Sequence, residues 1–328
     1  MTVCVAVRAH DSMVFAADSA STLEGRTATG EAIVVNVYKH GDKIFNLYKG
    51  LPIVAMTCGM GHIGNRAISS LAKDVRVRLT EGGRGWKINP ASYSIDEIAD
   101  RCRKFLFEER FQQLSPPPAV PHHFEFWVGG YSGGSETHDL RKITIANGNC
   151  SVEQLGAEGS CGIRWGGQPE AITRLIKGFD PGLRAALIAN GMAPADATVI
   201  DSFVKSHFEV NLAQPSMPVQ DAIDLAEFLV ETTKGFFRFK LGADTVGGEA
   251  DIAVVTRHEG FKWIKRKHYY NPSLNPLETD HAGQKNRPHD ENGTGGGSQH
   301  PAASRLRISD PRLRKPERQL NIRPKRRS

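Results

Sequence analysis

Two short strand-forming runs at the start of the chain, residues 2–8 and 12–17, constrain the fold most. They flank a turn at His10-Asp11, so they are expected to fold back on each other as an antiparallel pair. The first run opens on Thr2 and the second ends against Asp18, sixteen residues later. If Met1 is removed, Thr2 carries both a hydroxyl and a free α-amine.

The following segment is rich in Ser, Thr and Gly, with an apolar run over Ala32–Tyr38. Residues 43–48 alternate apolar and polar, Lys49-Gly50 is a turn signal, and 51–57 is a short apolar run. Strands in hairpin succession predict antiparallel pairing in this half. Cys58-Gly59-Met60-Gly61-His62 is a glycine-rich bend. Ile63, Ala67, Ile68, Leu71, Ala72 and Val75 then recur at helical spacing. A second helix is expected from Ser94, where Ser94 and Glu97 have capping-box spacing and Ile95, Ile98, Cys102, Phe105 and Leu106 form an apolar stripe. Pro116-Pro117-Pro118 ends that unit. Strands are expected at 124–128 and 140–145, helices at 168–179 and 218–237, and a closing hairpin at 251–257 and 261–265. Strands and helices in blocks predict α+β layers rather than a doubly wound sheet.

From about Asn271 the pattern fails. Residues 272–328 hold 12 Lys/Arg against 6 Asp/Glu, and the other 271 residues hold 30 of each, so the whole net charge of +6 sits in this tail. Its low hydrophobicity and high charge predict disorder. The expected division is therefore a folded domain over 1–270 and a basic tail over 271–328. No aromatic residue follows Tyr270, so the tail has no stacking platform for single-stranded nucleic acid. A solvated extension is the expectation, with binding to RNA, DNA or an acidic partner through 312–315 and 323–327 as its alternative.

No apolar run approaches the ~20 residues of a membrane span. The first residues show neither a basic n-region nor a long apolar h-region, so the expected location is the cytoplasm. The five cysteines (Cys4, Cys58, Cys102, Cys150, Cys161) form no C-x-x-C pair and no zinc spacing, and are read as thiols. No cofactor or metal is expected.

Amide cleavage needs a nucleophile, a base beside it and donors for the oxyanion. A free α-amine has an ordinary pKa of ~7.7–8.0 and can take the proton of a threonine hydroxyl at working pH. A nearby lysine would favour the alkoxide, and an aspartate paired with it would hold it charged and oriented.

Thr2, Asp18, the run Lys43-Ile44-Phe45-Asn46-Leu47-Tyr48-Lys49-Gly50 and the glycine bend come in an order that resembles the catalytic β subunits of proteasomes and their bacterial relatives. These relatives include the heat-shock-locus peptidase and the proteasome homologues of bacteria without a true proteasome. The Lys-apolar-x-x-Leu-Tyr-x-Gly run is similar to the heat-shock-locus type. Gly129-Gly130-Tyr131 and Thr245-Val246-Gly247-Gly248 extend the likeness to roughly 2–265. The resemblance implies a four-layer αββα sandwich of the N-terminal-nucleophile hydrolase type. It implies Thr2 as nucleophile, Asp18 and Lys43 as its partners, and Gly59 as an oxyanion N–H donor. It also implies a self-assembled homo-oligomer, ring or open spiral, acting on unfolded protein or peptide substrates. An ATPase unfoldase would be a separate chain, because no Walker motif is present.

Three departures stand beside these matches. The stretch between Asp18 and Lys43 is longer by about nine residues, assigned to an insertion in 24–36. Trp165-Gly166-Gly167-Gln168 lacks the usual serine. Asp244 and Thr245 stand in a shifted register before the last glycine pair. The alternatives are a non-catalytic ring subunit of the same fold, a small-molecule amidase, or Cys4 as a rival nucleophile.

Overall fold

The computed structural model describes residues 2–27, 32–83, 85–116 and 122–267. Along the chain come β1 (Val3–Arg8), β2 (Ser12–Ala17), β3 (Ser21–Arg26), β4 (Ala32–Tyr38), β5 (Ile44–Asn46), β6 (Ile53–Gly59), β7 (His62–Ile63) and β8 (Arg66–Ala67). Then follow α1 (Ile68–Glu81) and α2 (Ile95–Arg103), which runs on as a π-helical stretch over Lys104–Phe111. The second half holds β9 (His123–Tyr131), β10 (His138–Ala146), β11 (Asn149–Gln154), β12 (Gly162–Gly167), α3 (Glu170–Lys177), α4 (Leu183–Ala189), α5 (Pro194–Phe208), α6 (Val219–Phe239), β13 (Asp251–Thr256) and β14 (Gly260–Lys265).

The fold is mixed α/β with antiparallel sheets. One five-stranded sheet has the order β12-β1-β2-β13-β14 and the other β11-β10-β9-β6-β5. Every strand pair in both is antiparallel. The opening hairpin and the β5–β6 pair therefore form as expected but belong to different sheets. The first half is not one continuous sheet.

All six residues of β1 and all six of β2 are buried. Successive strand side chains point to opposite faces, and both faces of β1 are used. Val3, Val5 and Val7 join a cluster with α3 and α6 residues such as Ile172, Ala226 and Leu229. Cys4 and Ala6 join Met56, Cys58, Trp127, Tyr131 and Leu140 of the other sheet. A third cluster places Leu71, Val75, Ile95, Ile98, Cys102 and Phe105 against Ile53, Ala55, Phe126, Val128 and Ile143.

Ser94 caps α2, its hydroxyl accepting the Glu97 N–H at 3.0 Å. The expected stripe (Ile95, Ile98, Cys102, Phe105, Leu106) is fully buried. The first helix starts at Ile68, not at Ile63: residues 62–67 form the short β7–β8 pair, and the Ile68 N–H closes back on Gly61 O at 3.0 Å. Ile63 is buried as its spacing suggested but is not helical. The stretch 24–36, expected to hold an insertion, overlaps the β3–β4 hairpin, which among the described residues pairs only with itself. Among the described residues no helix is long and apolar enough to cross a membrane. The described residues all lie in a single unit reaching to Tyr269; the expected tail over 271–328 lies outside them.

Candidate functional site

The hairpin register determines where Thr2 and Asp18 lie. Cys4 stands opposite Ala17, so Val3 falls beside Asp18. The Val3 N–H donates to Asp18 Oδ1 at 3.0 Å, and the Asp18 N–H returns to Val3 O at 3.3 Å. Thr2, one residue further out, is 4% exposed. Its carbonyl accepts the Gln168 N–H at 2.7 Å, which ties it to the end of β12. Gly167 has φ +82, and a Cβ there would lie 1.9 Å from Thr2 O. This close approach requires glycine at that position.

Lys43 lies just before β5. Its Nζ reaches Asp18 Oδ1 at 2.6 Å, with side-chain exposures of 7% and 0%. The other carboxylate oxygen accepts the N–H groups of Ala20 (3.1 Å) and Gly247 (3.0 Å). Asp18 is thus held by four donors, three of them from other parts of the chain, and a buried charge is stable only when paired and hydrogen-bonded in this way. The Lys43 carbonyl in turn accepts the Thr57 N–H at 2.9 Å, fixing β5 to β6 near the bend.

Gly59 ends β6 with φ +89, and a Cβ there would lie 2.3 Å from His123 O. The next amide, Met60 N–H, donates to that same carbonyl at 3.0 Å. The end of β6 lies across from the start of β1. The Cys4 thiol donates to Thr57 O at 3.1 Å, and a Cβ on Gly166, the strand partner of Cys4, would sit 3.4 Å from Cys58 Sγ. The structure thus gathers Asp18 and Lys43 in direct contact, sets Thr2 one residue from the amide that Asp18 binds, and brings the Gly59 end of β6 to the same edge.

Cys4 is buried in the inter-sheet cluster. The neighbouring Cys58 thiol is pushed well up from its ordinary pKa by contact with the Cys4 thiol, by burial and by the Glu125 carboxylate. That environment disfavours a thiolate nucleophile. Glu125 itself is raised by burial, but hydrogen bonds from Trp127, Cys58 and His123 and the charge of Lys142 outweigh this and hold it below the ordinary carboxylate value. All five cysteines are free. His62 is exposed and bonds locally to Gly64 O. Among the described residues no group of three His, Cys, Asp or Glu is placed to hold a metal ion.

Sequence reasoning missed three buried polar residues beside the site. Ser19 donates its N–H to Gly247 O at 3.0 Å and its hydroxyl to Glu249 O. Asp251 and Lys267 form a second buried ion pair. A serine in a Ser/Thr-rich stretch and a lysine in a Lys-Arg-Lys run give no sequence signal of burial. Thr245, which the shifted register had left unassigned, is 1% exposed, and its hydroxyl has no hydrogen-bond partner among the described residues.

No family model matches the sequence, and no curated protein matches it. Among solved structures, the chain is similar to the helical assembly of the Anbu complex from Pseudomonas aeruginosa. The likeness covers 83% of this chain and 90% of that one, at 15% identity and a TM-score of 0.46. The membership expected from the motif order, among proteasome β subunits and their bacterial relatives of the heat-shock-locus and proteasome-homologue kind, is therefore corrected: no family model and no curated protein supports it. The physical reason is that the run from Lys43 to Gly50 and the glycine bend are short strand-and-turn strings, which a hairpin needs whatever its lineage.

Proposed function

We propose that this chain is an N-terminal-threonine hydrolase cleaving peptide bonds, built as a four-layer αββα sandwich. The observation that carries the reading is the Asp18 carboxylate: one oxygen accepts both the Lys43 ammonium at 2.6 Å and the Val3 N–H at 3.0 Å, next to Thr2. A buried lysine paired with the carboxylate that binds the amide next to Thr2 is the electrostatic arrangement that such a nucleophile needs.

In this reading Met1 is removed and Thr2 keeps a free α-amine. Thr2 Oγ attacks the scissile carbonyl carbon while its proton passes to the α-amine. Lys43 stabilises the developing alkoxide, and Asp18 holds Lys43. The Gly59 N–H is assigned to the oxyanion. The C–N bond breaks as the amine leaving group takes the proton, leaving an ester on Oγ. Water, giving a proton to the α-amine, attacks the ester carbon; the C–Oγ bond breaks, Oγ takes that proton back, and the carboxylic acid product leaves. The chain would act as a self-assembled homo-oligomer in the cytoplasm, which light scattering on the purified protein tests.

Mass spectrometry of the N-terminus and labelling with a β-lactone or epoxyketone test the chemistry. The expected result is loss of Met1 and one adduct on Thr2; Thr2→Ala should abolish turnover with an unchanged urea midpoint. An intact Met1 with no adduct refutes the reading. A second reading, a non-catalytic subunit of the same fold, is favoured by Gly166-Gly167-Gln168, which offers no hydroxyl beside Thr2. Met1 removal without any adduct or turnover would select it.

A further inference from the structure

The chain leaves β14 through Lys265-Arg266-Lys267, which in sequence looks like a solvated basic strand end. The three residues have different fates. Lys265 pairs with Glu227 at the surface at 2.7 Å, and the Arg266 guanidinium lies 4.8 Å from the Trp263 ring centre. Lys267 is 7% exposed.

An ammonium has three N–H donors, and Lys267 uses all three. Its Nζ donates to Asp251 Oδ2, to Ser19 Oγ at 2.8 Å and to Gly41 O at 2.9 Å. Its own backbone N–H donates to Asp251 Oδ1 at 3.2 Å. Asp251 is 2% exposed at the head of β13, and Asp42 adds a second carboxylate 3.8 Å from Nζ.

The three acceptors come from segments far apart in sequence. Ser19 follows Asp18, and Gly41 precedes Lys43 by two residues. The Gly41 N–H closes on Ser19 O at 2.8 Å, so Lys267 sits where these two segments touch. The Asp18–Lys43 distance depends on both segments being held. A buried ion pair is costly to desolvate and contributes little net stability by itself, so specific placement of the groups it contacts is the better account of its presence.

We propose that Lys267, neutralised by Asp251, is a positioning residue for the Thr2 site. It pins the Ser19 hydroxyl and the Gly41 carbonyl and so sets the Asp18–Lys43 pair, without touching Thr2 or any reacting atom. The functional half of this inference rests on the threonine-hydrolase reading; the structural half does not.

The test uses the full chain with two variants. Lys267→Met combined with Asp251→Asn removes the pair and leaves no buried charge unmatched. Ser19→Ala removes one acceptor of Lys267, together with the hydroxyl's own bond to Glu249 O, and keeps both ion pairs. Two readouts are taken: amide hydrogen exchange over residues 17–23 and 39–46, and the kinetics of Thr2 acylation by a β-lactone, resolved into maximal rate and half-saturating concentration. In the double variant, exchange in those two segments should quicken while α6 and β9 stay unchanged. The maximal acylation rate should fall by about ten- to a hundredfold, the usual effect of a small misplacement of a reacting group, with half-saturation unchanged. Ser19→Ala should show the same pattern, smaller. Wild-type exchange and acylation in the double variant would overturn the proposal. If the double variant exchanges everywhere, Ser19→Ala decides by the same two readouts. A wild-type chain that takes no adduct refutes the hydrolase reading alone, and the exchange data then still decide whether Lys267 pins the two segments.

Discussion

Asp18→Asn is the most informative perturbation, because it keeps the size of the side chain and removes the charge that four donors face. Those donors are the Val3 N–H at 3.0 Å, Lys43 Nζ at 2.6 Å, the Ala20 N–H at 3.1 Å and the Gly247 N–H at 3.0 Å. An asparagine offers one carbonyl oxygen and turns an NH₂ toward the rest. Charge-assisted hydrogen bonds contribute about 1.5–3 kcal/mol each, and breaking a buried pair from one side costs about 3–5 kcal/mol. These terms overlap, so the expected loss is about 4 kcal/mol. Lys43→Met is milder, at about 2 kcal/mol, because Asp18 keeps three backbone donors and the lysine no longer has to be desolvated. In the double variant no charge is left unmatched, so its loss should fall short of the sum of the singles by about 2–3 kcal/mol. Urea unfolding followed by tryptophan fluorescence measures all three, provided the slope with urea is unchanged. Asp18→Asn costing no more than Lys43→Met, or losses that add within about 0.5 kcal/mol, would refute the claim that the Asp18 charge organises this corner.

Two further outcomes follow from the geometry. His138 is fully buried, with Nε2 2.7 Å from Ala9 O and Nδ1 3.3 Å from Arg8 Nη2; burial first, then the Arg8 charge, hold its pKa below the ordinary value against the raising effect of the Ala9 carbonyl. The unfolded chain then binds the proton more readily, so His138 contributes stability above about pH 6.5 that is lost as pH falls toward its lower folded value. The urea midpoint should drop through that window in the wild type and drop less in His138→Gln; equal slopes would contradict the assignment. Gly167→Ala should destabilise by about 1 kcal/mol or more beyond Gly148→Ala, since a left-handed φ costs each about 1–2 kcal/mol but only the Cβ added at Gly167 would meet a carbonyl, Thr2 O at 1.9 Å, while one at Gly148 meets nothing within 4 Å. Equal costs would show that the approach to Thr2 is not tight.

The candidate site was legible only as an order of residues that carried a resemblance; the β1–β2 hairpin, through the Val3–Asp18 bond, is what turns the sixteen-residue spacing of Thr2 and Asp18 into proximity. The α2 cap and stripe were legible because they are local, set by 3.6-residue periodicity and one side-chain bond. Strand β11 is mostly exposed and β12 mostly half-buried, and their weak apolar pattern hid them from sequence reasoning. The helix start at Ile68 was misjudged because Ile63 is buried through the β7–β8 turn rather than through a helical turn.

The sequence by itself determined local strands, turns and the glycine bend, because turn chemistry and alternation act over a few residues, while the roles of Thr2, Asp18, Lys43 and Gly59 came only from the resemblance carried by their order. Only the tertiary structure decided that β2 and β5 belong to different sheets, that Lys43 crosses to Asp18, and that Gly167 rather than a serine lies against Thr2. It alone buried Lys267 between Ser19, Gly41 and Asp251. Those contacts join residues up to 248 positions apart, and their burial depends on sheet packing that no local spacing encodes.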